Sequence, residues 1–327
     1  MKVVRKYSLL FILLLSVTSV YAQTEQRMGQ RVEDLLGNLY RDVKSAEKAT
    51  NLYFDIAVTG CRFELLVNDF PVYRDATLTS LQSAEHKVLI NSAILKSGVQ
   101  TWELRILPVI TGATREISVS EDVRFKLSYT KMRPRFDGRQ VMLGEPEVLL
   151  TTPTVVENGA EVYARAGKSG IIYKGTFEAD VPYELKGWSK SVDLNTLNKT
   201  DLMNKLVEQY ENFGKLLHKG QVDKIAELIH TRSAEAAQYL FYSKCMNKNA
   251  VQEVWESYGL SNPHVIRPTN YKMIIFGDGK LVALERADIP YEPVLSVKST
   301  VDGKEYVTKY RLFFHIPEGG ERLEIIR

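Results

Sequence analysis

The chain has 327 residues, 44% of them hydrophobic and 25% charged, an ordinary globular composition long enough to bury two cores. Its 43 basic and 40 acidic residues include three basic and no acidic ones before position 23, so the rest is balanced at 40 against 40. That neutrality removes the global support for nucleic-acid binding.

Residues 1–22 read as an export signal. Lys2, Arg5 and Lys6 form a basic start, Leu9 to Val17 a short apolar run, and Val20-Tyr21-Ala22 a small-x-small cleavage pattern before Gln23. The apolar run is shorter than the ~20 residues a membrane span needs. We therefore expect a periplasmic or secreted protein with no transmembrane span in the mature chain. Residues 23–50 carry an amphipathic helix, with Val32, Leu35, Leu36, Leu39, Val43 and Ala46 on one stripe.

From Asn51 the apolar period becomes two. Phe54, Ile56 and Val58 alternate, then Cys61, Phe63, Leu65 and Val67, and Asn68-Asp69 makes a turn. Further strands are expected at 87–91, 100–107, 116–119, 123–129, 148–152, 161–164 and 170–179, divided by turn signals such as Asp137-Gly138 and Asn158-Gly159. Many short strands at this spacing predict an antiparallel sandwich over 51–190. The run from Glu64 to Val72, with Val88-Leu89-Ile90-Asn91 and Ser97-Gly98-Val99-Gln100-Thr101-Trp102, resembles jelly-roll sandwiches of the galactose-binding type. The resemblance implies a sandwich fold and does not fix a ligand.

Residues 191–199 read as a polar linker, and 200–327 as an α+β domain in which helices pack on an antiparallel sheet. Leu202, Met203, Leu206, Val207, Tyr210, Phe213 and Leu217 fall on one helix face, with Asp201 at its start and Gly220 past its end. A second helix runs through Val222, Ile225 and Ile229, a third opens at Ser233, and a fourth is capped by Asn249. Strands follow at 271–276, 280–287, 294–301, 305–316 and 322–326, with Asp302-Gly303 as the strongest hairpin signal. Helices followed by a meander resemble the nuclear-transport-factor-2-like (cystatin-like) group. That resemblance implies a cone-shaped α+β domain.

Chemistry is sparse. There is no H-E-x-x-H, no C-x-x-C and no calcium-loop pattern, and five scattered histidines lack ligand spacing, so no metal or cofactor is expected. Gly167-Lys168-Ser169 lacks the glycine a phosphate loop needs five residues earlier. Glu285 shares a parity with Leu281 and Ala283, which predicts a carboxylate buried on the helix side of the sheet. His315 shares its strand face with Arg311. These are the candidates for a base or binding group in a cone pocket. In the sandwich, Trp102 is a candidate sugar platform, and Arg133, Arg135 and Arg139 around Phe136 a candidate surface for an acidic partner. Cys61 and Cys245 lie in different halves. Export permits a disulfide, while the parity of Cys61 favours a buried thiol.

The leading expectation is an exported two-domain binding protein without catalytic activity, its ligand a protein or a glycan. An enzyme using Glu285 or His315 is the alternative, and an immunity-type toxin-neutralising protein is a variant within the binding class.

Overall fold

The structure, a computed structural model, describes residues 29–44, 46–75, 83–111, 114–135, 139–266, 270–301 and 303–327. The expected export signal lies outside them. The chain is an α+β protein built on antiparallel sheets.

Among the described residues helix α1 occupies 29–36 and ends earlier than the stripe to residue 46 predicts, with Gly37 and two 3-10 turns at Leu39–Asp42 and Ala46–Lys48 following it. In the N-terminal half come β1 (Asn51–Thr59), β2 (Arg62–Val67), β3 (Phe70–Asp75), β4 (Ser83–Leu89) and β5 (Gly98–Leu107). The short pair β6 (Ile110–Thr111) and β7 (Thr114–Arg115) follows, then β8 (Arg124–Pro134), β9 (Gln140–Met142), β10 (Glu147–Thr151), β11 (Thr154–Glu157), β12 (Ala160–Tyr163) and β13 (Ile171–Ala179). The expected strand at 116–119 is loop.

One sheet has the order β10-β8-β1-β4, with β9 on the far end of β8, and another has the order β13-β5-β2-β3. Alternate residues of both enter one apolar core. Phe54 and Tyr129 from the first meet Phe177 of the second with ring centroids 5.0 and 4.7 Å apart. Asn68 and Asp69 adopt φ of 51° and 56°, the left-handed pair that a two-residue hairpin between β2 and β3 demands.

In the C-terminal half, α2 (Lys199–His218) is capped by Asn198, whose side chain accepts from the Thr200 and Asp201 amides, so the cap sits three residues before the expected Asp201. Helix α3 (Val222–Tyr239) runs through Ser233 unbroken. Helix α4 (Lys244–Tyr258) starts at a Ser243 cap rather than at Asn249. The strands are β14 (His264–Ile266), β15 (Tyr271–Phe276), β16 (Leu281–Arg286), β17 (Leu295–Val301), β18 (Lys304–Tyr310), β19 (Phe314–His315) and β20 (Glu324–Ile325). They form the sheets β14-β17-β18 and β15-β16-β19-β20.

Both faces of the second of these sheets are covered. Met273, Ile275, Val282, Leu284 and Phe314 face the helical core, which also takes in Val32 and Leu36 of α1. Ile274, Phe276, Leu281, Ala283 and Phe313 belong instead to the core of the N-terminal half. The apolar interior therefore runs continuously across 191–199.

Candidate functional site

Period-two sequence puts alternate side chains of a strand on opposite faces. Along β16, Val282 and Leu284 point to the helices, so Leu281, Ala283 and Glu285 point the other way. This corrects the expectation that Glu285 lies on the helix side. It is buried against the N-terminal half, at 1% exposure.

There Glu285 joins an alternating row of charges that begins on the N-terminal sheet. Lys174 Nζ on β13 contacts Glu103 on β5 at 2.7 Å, and Glu103 also accepts from Arg105 Nε. Arg105 Nη1 reaches Glu64 Oε2 on β2 at 2.7 Å, and Arg74 Nε on β3 reaches Glu64 Oε1 at 2.6 Å. These contacts follow from register, because 174 pairs with 103, 105 with 64, and 64 with 74 across neighbouring strands. Arg74 Nη1 then crosses to Glu285 Oε1, the same oxygen that Arg311 Nη1 reaches at 3.1 Å. The rings of Phe276 and Tyr291 flank the Arg74 guanidinium at 5.1 and 5.0 Å. Burial, and then the Arg74 charge, lowers the Arg311 pKa, and burial raises that of Tyr291 to about 12. This row fastens the two halves together.

A second contact joins hairpin tips. Gly277 and Asp278, at the β15–β16 turn, donate backbone N–H groups to the Asp69 carbonyl and to Asp69 Oδ2, both at 3.0 Å. Gly279 in this turn has φ of +90°, and an added Cβ there would sit 2.5 Å from Asp193 Oδ1 and Asn195 Nδ2, so a side chain would strain the backbone and displace both groups.

A third contact centres on Arg327. Its guanidinium lies 5.1 Å from the Trp188 ring and 5.4 Å from that of Tyr239, and donates to Glu235 Oε2 at 2.7 Å and the Ser92 carbonyl at 2.9 Å. Glu235 Oε1 accepts from the Gly187 amide at 2.7 Å. Trp188, shortly before the expected linker, is buried and stacks on Phe70.

His315 lies close by, 4% exposed, with Nδ1 2.7 Å from Ser191 Oγ. Burial, then the Lys186 and Arg327 charges, pushes its pKa down to about 4. The folded state thus binds a proton less readily than the unfolded chain, whose histidine titrates near ~6.5. The contribution is complete above pH ~6.5 and drains away as pH falls towards 4. We expect unfolding free energy to drop by on the order of 2 kcal/mol across that window, and His315→Gln to flatten the slope. Denaturant titrations from pH 4 to 7 check it. An unchanged slope in the variant sinks the assignment.

Neither Glu285 nor His315 lines the open cavity of about 160 Å³ between α2 and the C-terminal sheets, which Val207, Tyr210, Gly214, Leu284 and Leu295 border. Sequence reasoning passed over Tyr210 as a polar group: its buried hydroxyl donates to the Leu312 carbonyl and accepts from the Leu284 amide, at 3.0 and 3.2 Å.

In the N-terminal half, Trp102 is buried, its indole lying across Gly175, where a Cβ would come within 2.6 Å of the ring. It is part of the core and offers no face to a sugar. Gln100 is also buried, bonding Asn68 and the carbonyls of Lys96 and Gly98. Arg133, Arg135 and Arg139 are exposed at the β8–β9 hairpin, beside Val141 and Met142, which are 42% and 46% exposed. Phe136 lies outside the described residues. Cys61 is buried and Cys245 exposed, so no disulfide joins them.

No family model, curated protein or solved structure matches the chain. No helix among the described residues is long and apolar enough to cross a membrane.

Proposed function

We propose that this is an exported binding protein, periplasmic or secreted, whose ligand is another protein. In this reading the two N-terminal sheets form a sandwich that carries the binding surface, and the cone-like C-terminal half braces it. The observation that supports it is where the polar groups are placed. Glu285, Glu235 and Arg327 bond across the halves, Arg311 is engaged with Glu285 and His315 with Ser191, whereas Arg133 and Arg135 stand exposed beside Val141 and Met142. Basic groups around exposed apolar side chains suit a protein with an acidic, partly apolar surface. The burial of Trp102, Tyr129 and Tyr163 weighs against a glycan, which would need an open aromatic face. The enzyme reading loses its base, since Glu285 is paired and turned away from the cavity.

Affinity capture from the native envelope, with the natural chain and with Arg133→Glu/Arg135→Glu, tests this. We expect a partner held by the first and lost from the second. An identical set of captured proteins from both overturns the reading.

A further inference from the structure

Two hairpins of the N-terminal half expose apolar side chains next to charge, and their charges are opposite. In β11–β12, Val156 is 71% exposed and is the cross-strand partner of Glu161, itself exposed, with Glu157 one residue away. In β8–β9, Val141 is the cross-strand partner of Arg133, with Arg135 two residues on. Each hairpin thus sets a valine directly beside one charge. Among the described residues, neither Glu157 nor Glu161 makes a side-chain ion pair, and neither does Arg133 or Arg135.

The two cannot satisfy each other within one chain. β9 pairs with β8 at Met132–Pro134, whereas β11–β12 leaves from the other end of β8, where the Thr152 amide donates to the Phe125 carbonyl. Eight residues of strand separate Phe125 from Arg133, about 27 Å at the usual rise. The acidic hairpin is also fixed in place at its base. Tyr163 donates its amide to the Glu121 carbonyl at 2.8 Å, and Arg124 Nη2 donates to the Glu161 carbonyl at 2.7 Å.

We infer that the partner of the β8–β9 hairpin is a second copy of this chain, docked through its β11–β12 hairpin. This rests on the protein-binding reading above and names its ligand. The match is one of charge and of apolar area: Glu157 and Glu161 beside Val156 in one copy against Arg133 and Arg135 beside Val141 in the next. Placement near opposite ends of β8 allows an antiparallel pair, in which the contact forms twice, or a head-to-tail series.

The test is sedimentation of the purified chain across a concentration series at low and high salt. We expect reversible association that weakens with salt, because the charges are exposed. Arg133→Glu/Arg135→Glu and Glu157→Lys/Glu161→Lys should each, alone, associate at least ~10-fold more weakly, since each leaves like charges facing. Mixed in equal amounts, the two variants should associate again, each supplying the charge the other lacks. That rescue cannot come from misfolded chains. A natural chain that stays monomeric overturns the inference, as does association untouched by the substitutions or a mixture that fails to recover. Because only the purified chain is used, such a result leaves the wider protein-binding reading to the capture experiment.

Discussion

Glu285→Ala will lower the unfolding free energy by about 3 kcal/mol, among the largest losses any single substitution of a buried charge should produce here. The carboxylate neutralises Arg74, whose side chain is 7% exposed, and it is the acid that faces Arg311. Removing it leaves one guanidinium sharing Glu64 and the other, among the described residues, with the Tyr291 carbonyl. The cost is that of an uncompensated buried charge, more than that of a lost contact. Glu285→Gln should cost less, because an amide still accepts a hydrogen bond. The pair Glu285→Leu with Arg311→Met should be less damaging than the two single losses added together, since it removes the charge as well as its partner. Urea denaturation of the natural chain, these variants and the single changes Glu285→Leu and Arg311→Met checks this. A loss below ~1 kcal/mol for Glu285→Ala would show that the row of charges is not what fastens the halves.

Arg327→Ala should cost a similar ~3 kcal/mol and lower the melting temperature by about 6 °C. The guanidinium lies against two aromatic rings and makes a buried pair, so its removal takes away packing as well as charge. Arg327→Lys should rescue little, because an ammonium cannot reach Glu235 and the Ser92 carbonyl together while lying flat on Trp188. Circular dichroism gives the melting temperature, and Trp188 fluorescence reports the local change. Full stability of the lysine variant would mean that charge alone, without the planar fork, serves this position.

How much of this was legible in the sequence depends on how local each cause was. The strand Tyr271–Phe276, the left-handed Asn68-Asp69 turn and the apolar face of α2 depend on residues within a few positions of each other, and their patterns predict them. Ser233 looked like a helix start because serine favours caps, yet the apolar spacing through Ala226, Ile229 and Ala237 carries α3 across it. The side on which Glu285 is buried was not legible. Both parities of Leu281-Val282-Ala283-Leu284 are apolar, so period two separates two faces without saying which one meets the helices. The charged row escaped for a related reason. Glu64, Arg74 and Arg105 alternate with apolar residues as solvent-facing groups do, and only strand pairing and the distant β16 bury Glu64 and Arg74 and draw Arg105 into the row.

One consequence of α1 concerns the order in which this protein can be assembled. Val32 and Leu36 complete the same apolar core as Leu323 and Ile325. Asn247 on α4 secures the junction, donating to the Leu36 carbonyl and accepting from the Tyr40 amide. The whole β region from Asn51 to Ala179 is therefore an excursion between the first helix and the core to which that helix belongs. A chain emerging N-terminus first can pair β1 through β13 early, but α1 must wait with its apolar stripe uncovered until α3 and α4 arrive. Closure of that long loop, rather than strand pairing, should then set the pace of folding. During that interval the first helix is the segment most exposed to a chaperone.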